Sequence, residues 1–446
     1  MSSPASANSS GSNVPSVTAT TATALAVADM VGTGVFTSLG FQVPGLPSGF
    51  SLLMLWIVGG IVALCGALSY AELSAAFPRS GGEYNFLSRV YSPAVGFLAG
   101  WVSATFGFAA PVAIAAIAFG DYFQGLVPGA PKLWMGLALI WITSAILITG
   151  MKQSSVFQDV MTGLKILLIV VLIVAGFAVG GNTNISFVPT SQDLSLIAST
   201  PFAISLVYVM YAYSGWNAAT YISGEIKDPQ RNVPRSLIVA TLIVTGLYVA
   251  LNAAFLYTTP VQKLAGQVNV GLIAGTEIFG PSGGKIVGGL ICLGLVSAVS
   301  AMMWIGPRVT MVMGEDVPLL RWFAQKSAAG VPARALIVQT LIATVLLFTG
   351  TFEKVVLFIQ FSFTLCSFLA VLGVIVLRFT RPDLPRPYTT WGYPITPIIF
   401  LCITLWMLAF QIMDKPFESL SGLALMLTGL LVYWYGMSKG RTLSTS

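Results

Sequence analysis

Long apolar runs, separated by short polar segments, recur along the whole chain. About twelve of them reach roughly 18 to 25 residues, which is long enough for a helix to cross a hydrocarbon core of about 30 Å. The pattern therefore predicts an all-α integral membrane protein with 12 transmembrane helices. The third, sixth, eighth and tenth runs exceed one crossing, so we expect tilted helices there. The predicted spans are 24–43, 50–76, 94–126, 132–150, 155–180, 201–226, 235–258, 284–313, 333–350, 353–379, 395–413 and 417–438.

The composition agrees with a membrane protein and excludes several other classes. Hydrophobic residues make up 56% of the 446 residues and charged residues 8%, which is too little charge to cover a water-soluble surface of this size. The chain has no histidine, which argues against a zinc or Ser-His hydrolase, and no metal site or cofactor is predicted. All four cysteines lie inside apolar runs, where cysteine packs as a small hydrophobic residue.

The distribution of lysine and arginine predicts the orientation in the membrane. With the amino terminus inside, 15 of the 21 lysines and arginines lie on the cytoplasmic side and 5 on the other, with Lys165 within a span. Positive charge concentrates on the cytoplasmic side, so we expect a multi-pass protein of the cell membrane with both termini in the cytoplasm. This topology explains the net charge of +6 without a nucleic-acid partner.

Glycine interrupts two apolar runs at matching places, at Gly32-Thr33-Gly34 and at Ser214-Gly215-Trp216. Paired broken spans indicate a substrate site in a transporter, because unwound backbone can bind a solute. About 180 residues and five spans separate the breaks. An odd number of spans inverts the second unit, which predicts an inverted 5+5 repeat plus two helices, with helices 1 and 6 broken. The predicted units are a disordered tail at 1–20, repeats at 21–181 and 200–380, helices 11 and 12 at 395–438 and a tail at 439–446.

The two breaks offer complementary groups to a zwitterion. Amides near Thr33, Gly34 and Val35 would lie at the positive end of a half-helix, where a carboxylate binds. Carbonyls at the end of the first half-helix and at the second break would accept an ammonium. Tyr211 and Trp216 would add an aromatic wall and a gate. Close helix packing is the alternative explanation for either break alone.

Two ionisable residues lie within spans, where insertion costs about 2.5 to 3.5 kcal/mol and such residues normally face a cavity or a partner helix. Lys165 of span 5 can take the place of a bound sodium ion, with Ser297 and Ser300 of span 8 as partners. A structural tether between helices is the alternative, and either role argues against sodium coupling. Asp29 lies one turn before the first break, where it can pair with Lys165, bind a substrate cation or carry a proton.

Three further carboxylates stand near arginines of the predicted cytoplasmic loops, and they belong to Glu72, Glu83 and Glu225. Exposed ion pairs of this kind contribute little to the free energy of folding. We interpret all three as loop salt bridges or gate latches rather than as substrate ligands.

Seven short stretches carry a resemblance to a known family. They are VGTGVF at 31–36, CGALSYAEL at 65–73, RSGGEY at 79–84, FQD at 157–159 with Lys165, YSGWN at 213–217, EIKDPQRNVP at 225–234 and GVPAR at 330–334. Together they cover roughly residues 20–380 and resemble the amino acid-polyamine-organocation superfamily. Within it they look closest to the L-type amino acid transporter branch, in its prokaryotic form.

The resemblance implies a LeuT-like fold, alternating access, sodium independence and, usually, amino acid exchange. It places the carboxylate-binding backbone at Gly32-Thr33-Gly34 and the gating aromatic at Tyr211. Asn217 matches a polar position beside the second break, and Lys165 matches the span-5 lysine of the family. Asp29 departs from the pattern, in which an uncharged residue lines the cavity, so a cationic substrate is conceivable.

The resemblance also bears on partners. Animal members attach to a heavy subunit through a cysteine between spans 3 and 4. The corresponding segment, 122–132, has no cysteine. This argues for a stand-alone carrier without a disulfide-linked heavy subunit, with an amino acid and the lipid bilayer as its partners.

We therefore expect a secondary transporter rather than an enzyme, namely a sodium-independent exchanger of neutral L-amino acids. Proton-coupled uptake, and carriage of cationic amino acids or polyamines through Asp29, remain alternatives. A channel would require a pore with a selectivity filter, and a sensor an output domain, and the sequence shows neither pattern. The predicted substrate site consists of Asp29, Gly32, Thr33, Gly34, Tyr211, Ser214, Gly215, Trp216 and Asn217.

Overall fold

The computed structural model describes residues 17–150, 155–181, 183 and 185–443. Within these ranges the chain is helical, no strand is present, and an isolated bridge joins Val17 to Ile226. The predicted all-α class is confirmed. Helix α1 begins where the Thr18 hydroxyl accepts a hydrogen bond from the Thr21 amide, as an N-cap does.

The helices before residue 180 start with a broken span and include a short helix between spans 2 and 3. A π-helical turn, Ser103–Gly107, joins α6 to α7. The bounds are α1 Ala19–Met30, α2 Gly34–Thr37, α3 Leu39–Gln42, α4 Gly49–Ala76, α5 Glu83–Val90, α6 Pro93–Val102, α7 Ala109–Leu126, α8 Lys132–Ile148 and α9 Ser155–Val179.

The helices after residue 190 contain the second broken span. Two 3-10 turns, Ser223–Glu225 and Pro318–Phe323, follow α12 and α15. The bounds are α10 Ser191–Ile197, α11 Thr200–Tyr213, α12 Ala218–Tyr221, α13 Pro229–Thr258, α14 Val261–Leu264, α15 Val270–Asp316, α16 Ala333–Thr349, α17 Phe352–Thr380, α18 Ile395–Asp414 and α19 Pro416–Leu443.

Most predicted spans correspond to helices long and apolar enough to cross a membrane. Among the described residues there are nine such helices, or ten if α10 and α11, which are bent by 64°, form one span. Helix α8 and most of α16 are apolar but shorter, so the total of twelve stays a prediction. Large apolar side chains on the outside of the bundle, such as Trp134, Val174 and Leu431, are exposed and suit a lipid environment.

The helices pack in two groups. In the first group, α13 packs along α4 and also against α1, and α4 packs against α11. In the second group, α7 packs against α8, α15 and α16, and α16 also contacts α8 and α15. Helix α13 meets α15 over a much smaller contact. Helix α9 lies between the groups, in contact with α13 and α15.

Three predicted boundaries differ from the structure. The tail predicted to end at residue 20 is too long, because the capped helix α1 begins at Ala19; residues 1–16 lie outside the described ranges. The predicted tail at 439–446 is helical through Leu443, since no proline interrupts α19 after Pro416. Predicted span 8 lies after a bend at Gly280, where φ is 75°. The ten helical residues before this bend were not predicted.

Candidate functional site

Both predicted helix breaks are present in the structure. Helix α1 ends at Met30 and α2 begins at Gly34. Helix α11 ends at Tyr213 and the next helical residue is Ala218. Gly215 has a φ of 103°, a left-handed conformation that side chains other than glycine rarely adopt. The local glycine pattern therefore identified the places where the two helices unwind.

The two breaks lie against each other. A Cβ atom built on Gly34 would lie 2.4 Å from Cα of Ala212, in the last turn of α11. A Cβ on Gly215 would lie 2.7 Å from Oδ2 of Asp29, in the last turn of α1. Only glycine permits this approach, so the residues predicted at the two breaks form one structural unit.

Tyr248 of α13 joins the ends of the two half-helices. Its hydroxyl lies 2.5 Å from the carbonyl oxygen of Met30 and 3.1 Å from that of Ala212. Carbonyls at helix ends lack an intrahelical partner and need a donor when buried. The role of Tyr248 was not predicted, because the sequence around a tyrosine in an apolar span does not show what its side chain contacts.

The carboxylate site was predicted at the amides of the first break. Among the described residues, the N–H groups of Thr33, Gly34 and Val35 have no backbone acceptor, and Thr33 and Gly34 are buried. The Gly32 amide instead donates to the Met30 carbonyl. Three free donors at the start of a half-helix can bind an anionic group.

Lys165 of α9 reaches the end of α1. Its Nζ donates to the Ala28 carbonyl at 3.2 Å, and its aliphatic part faces Gly294 of α15. Its predicted partners, Ser297 and Ser300, are buried residues of α15. The ammonium therefore satisfies a helix-end carbonyl next to Asp29, and its role as a sodium substitute or as a tether stays a prediction.

A cavity of about 770 Å³, its open mouth included, adjoins the second break. Five predicted site residues line it, and they are Asp29, Ser214, Gly215, Trp216 and Asn217. The remaining four, Gly32, Thr33, Gly34 and Tyr211, are buried outside its wall. The cavity extends toward Glu83 and Tyr221, on the side where Val17 pairs with Ile226; we call this side the amino-terminal face.

Aromatic rings of α3, α11 and α17 pack together near the second break. Phe41 stacks on Tyr208 and on Phe352, with ring centroids 5.4 and 5.3 Å apart. Tyr211 meets Phe352 edge to face at 6.2 Å.

The π-helical turn gives the cavity part of its wall. Gly107, at its end, lines the cavity together with Phe108 and Pro111 of the following turn. A π-helical turn widens a helix locally and is frequent at functional sites. No sequence pattern predicted it.

Glu72 and Glu225 form the predicted ion pairs, although Glu72 is buried in α4, whereas Glu83 forms none among the described residues, and its alternative role as a gate latch stays a prediction. Glu72 lies 2.8 Å from Arg378 and 3.2 Å from Arg386, and Glu225 lies 3.5 Å from Arg308.

Glu83, in contrast, is buried and accepts hydrogen bonds from neutral groups. The Tyr70 hydroxyl lies 2.9 Å and Asn217 Nδ2 2.6 Å from its Oε1, and the Tyr221 hydroxyl lies 2.6 Å from its Oε2. Helix α5 turns the side chain inward, which its position among loop arginines did not indicate.

Comparisons with known proteins place the whole of this site within one family match. The chain matches the amino acid permease family over residues 18–434. It is 27% identical over 418 residues to the b(0,+)-type amino acid transporter 1 of Mus musculus, covering 92% of this chain and 85% of that protein. It is 28% identical over 429 residues to the large neutral amino acids transporter small subunit 2 of Homo sapiens, covering 92% and 78%.

The family match includes both helix breaks, the cavity and all but the last part of α19. Together with these relatives it confirms the resemblance to the superfamily and to its L-type branch, whereas the prokaryotic form stays a prediction. The all-helical architecture and the long apolar helices are those of a multi-pass membrane transporter. This protein therefore belongs to the amino acid permease family.

Proposed function

We propose that the protein is a sodium-independent secondary transporter that exchanges neutral L-amino acids by alternating access. The observation that carries this proposal is the contact of the two helix breaks beside the cavity, with Gly34 against Ala212 and Asp29 against Gly215. Paired breaks of this kind form substrate sites in transporters. One relative at 28% identity is a transporter of large neutral amino acids by name.

In this proposal the substrate bridges the two breaks. Its carboxylate binds the amides of Thr33, Gly34 and Val35, which have no backbone acceptor among the described residues. Its ammonium binds carbonyls of the unwound backbone near the ends of α1 and α11. Its side chain extends into the cavity past Trp216, whose indole packs edge to face against Tyr70 at 4.6 Å.

Lys165 supports sodium independence. A sodium ion between helices is held by backbone carbonyls and hydroxyls, and here the ammonium of Lys165 already donates to the Ala28 carbonyl. A fixed positive charge at this carbonyl repels a second cation. We therefore propose that Lys165, with Ser297 and Ser300 beside it on α15, stabilises α1 without sodium.

The packing of the helices supports the proposed motion. Helices α1, α4, α11 and α13 pack as one group, and α7, α8, α15 and α16 as another. We propose that the first group rocks against the second and exposes the breaks to each side in turn. The units 21–181 and 200–380 form the inverted repeats in this proposal, with both termini in the cytoplasm and no disulfide-linked heavy subunit.

Counterflow in proteoliposomes tests the proposal. The purified chain is reconstituted with labelled leucine inside, and efflux is followed with leucine, with glycerol or with no solute outside. We expect efflux only with external amino acid, and the same rate when choline replaces sodium. Equal efflux without external amino acid contradicts exchange, and a requirement for sodium contradicts sodium independence.

Proton-coupled uptake is the second candidate, and one observation favours it. Oδ1 of Asp29 is buried and has no hydrogen-bond partner among the described residues, so this carboxylate oxygen is available to bind a proton. An acid-outside gradient across empty vesicles should then drive uptake, and Asp29→Asn should abolish the dependence on the gradient. Uptake that ignores the gradient in the unmodified chain rejects this candidate.

A further inference from the structure

The connection between α15 and α16 lies on the amino-terminal face of the bundle. Asp316, the last residue of α15, pairs with Arg79 at 2.9 Å. The next residue after this arginine, Ser80, accepts a hydrogen bond from the Gly224 amide, and the residue after Gly224 pairs through its backbone with Val17. Helix α16 therefore starts at the same face as α1.

This connection is packed against the ends of α15 and α8. Its 3-10 turn, Pro318–Phe323, lies on α15, where a Cβ on Gly314 would be 2.7 Å from the Leu320 carbonyl oxygen. Farther along, a Cβ on Gly150, after the end of α8, would overlap Cβ of Ala329. The close contacts hold the backbone of the connection in one place, so the side chains that it carries start from fixed positions.

Three cations belong to this part of the chain. Arg321 and Lys326 are exposed, and Arg334 lies partly buried in the first turn of α16. Among the described residues, none of the three forms an ion pair within 4 Å. The nearest carboxylates in the sequence are Glu315, which is exposed, and Asp316, which already pairs with an arginine. The connection therefore attracts anions.

Arg334 is held by a tryptophan. Its Nη1 donates to the Trp322 carbonyl at 3.1 Å, and its guanidinium carbon lies 4.9 Å from the centroid of the Trp322 ring. Trp322 itself is 52% exposed. A guanidinium has five N–H donors, and the bond to the carbonyl uses one of them. The fixed guanidinium can therefore also bind an anionic oxygen, and arginine suits phosphate in particular.

An exposed apolar stripe begins one turn after Arg334 on α16. Its residues are between 44% and 59% exposed, and they are Ile337, Leu341, Val345 and Phe348. Residues three and four apart share one face of a helix, so the stripe continues the face on which Arg334 lies. A helix of this length extends about 25 Å, close to the thickness of the hydrocarbon core. Arg334 therefore lies at one edge of the apolar layer.

We propose that Arg334 and Trp322 form the centre of a binding site for an anionic phospholipid in the leaflet at the amino-terminal face. The phosphate of the lipid binds the guanidinium, and an acyl chain lies along the stripe of α16. Attraction between charges acts over a Debye length of about 8 Å at physiological ionic strength. Arg321 and Lys326 therefore add to the preference for a negatively charged headgroup.

The stripe favours a lipid over a soluble anion. A free phosphate or an acidic peptide would use the cations alone, whereas a phospholipid joins a phosphate to a chain that stays in the apolar layer. Arg334 and Ile337 are neighbours on one face of α16, so one lipid molecule can contact both. An exposed tryptophan beside them is typical of the boundary between membrane and water.

Lipid titration followed by native mass spectrometry tests the site. The purified, delipidated chain in detergent is mixed with dioleoylphosphatidylglycerol or dioleoylphosphatidylcholine, which share their acyl chains and differ in headgroup charge. The dissociation constant of the first lipid to bind is measured for each. We expect phosphatidylglycerol to bind about tenfold more tightly, because several basic residues act on its charge. In Arg321→Gln/Arg334→Gln this ratio should fall toward one.

Arg231→Gln/Arg235→Gln is the matched control. It removes two exposed cations from the start of α13, on the same face, and it should keep the wild-type ratio. Equal affinity for the two lipids in the unmodified chain overturns the site, and this comparison needs no variant to fold. A ratio that persists in folded Arg321→Gln/Arg334→Gln, or that falls equally in the control, also overturns it.

A soluble competitor distinguishes a lipid from a free phosphate. Glycerol phosphate carries the charged group of phosphatidylglycerol without its acyl chains. At millimolar concentration it should leave the bound phosphatidylglycerol in place, because it cannot use the stripe of α16. Displacement of the lipid by glycerol phosphate would show a site for soluble anions and would overturn the assignment to a phospholipid.

Discussion

The hydroxyl of Tyr248 lies 2.5 Å from the carbonyl oxygen of Met30, where α1 ends. The same hydroxyl is 3.1 Å from the carbonyl oxygen of Ala212, at the end of α11. One side chain from a third helix therefore holds both unwound segments at a fixed separation. The geometry of the proposed substrate site depends on this contact. Tyr248 and Met30 are 218 residues apart in the sequence.

Tyr248→Phe should weaken substrate binding as well as stability. Removal of the hydroxyl leaves the buried Ala212 carbonyl without this donor, which costs about 1 to 3 kcal/mol, whereas the Met30 carbonyl keeps its hydrogen bond from the Gly32 amide. The measurement is the dissociation constant for leucine together with the melting temperature of the purified protein. Tyr213→Phe is the matched control, because its hydroxyl also bonds a buried carbonyl, that of Trp56, at 3.1 Å. Equal dissociation constants for the two variants would show that Tyr248 acts on stability alone.

Gly32 and Gly34 should respond differently to substitution. A Cβ at Gly32 meets its nearest neighbour, the Asp29 carbonyl, at an ordinary 3.8 Å, whereas at Gly34 it overlaps the backbone of Ala212. Gly32→Val should therefore fold yet bind leucine at least about tenfold more weakly, because its bulk enters the carboxylate site. Gly34→Ala should lower the melting temperature by separating the breaks.

Gly246→Ala is the control for both variants, since nothing lies within 4 Å of a Cβ at that position. It should keep the affinity and the melting temperature. Unaltered leucine affinity in folded Gly32→Val would contradict the proposed carboxylate site at the first break. A melting temperature unaffected by Gly34→Ala would show that the breaks do not need their close contact.

Lys165→Ala should slow exchange more than it weakens binding. The ammonium joins α9 to the Ala28 carbonyl of α1, so its loss loosens the helix that must move rather than the substrate contacts themselves. Exchange rate and dissociation constant for leucine are measured on the same preparation. Lys263→Ala, which removes an exposed ion pair with Glu277, should change neither quantity. Normal exchange in Lys165→Ala would leave this residue without the proposed role.

Asp193, in the short helix α10 before the predicted span 201–226, should make stability depend on acid pH. Hydrogen bonds from the hydroxyls of Ser48 and Ser51, and from the amide and hydroxyl of Thr190, hold the pKa of its carboxyl well below the usual 3.8. A carboxyl with a lowered folded-state pKa stabilises the fold above its unfolded pKa, and this contribution is lost as the pH falls further.

Melting temperatures between pH 3 and pH 7 test this prediction. Asp193→Asn should lower the melting temperature at neutral pH and flatten its decrease below about pH 4. The exposed Asp383 offers a control, and Asp383→Asn should leave the curve unchanged. Parallel curves for wild type and Asp193→Asn would show that the ionised carboxyl does not contribute.

The helix breaks were predictable, whereas several contacts that shape the site were not. Gly32 and Gly215 leave a local signal, because glycine in an apolar run permits unwinding. Tyr248 and Glu83 leave none, since their roles depend on partners distant in sequence. The buried position of Glu83 was not predictable, because its neighbours in sequence are loop residues, whereas its partner Asn217 is 134 residues away.

A structure determined with a bound amino acid tests the central claim most directly. We predict density for the amino acid at the two breaks. Its carboxylate should lie at the amides of Thr33, Gly34 and Val35, and its ammonium at carbonyls near the ends of α1 and α11. Density at another place in the bundle, or a helix that runs uninterrupted past Gly32 or Gly215, would contradict it.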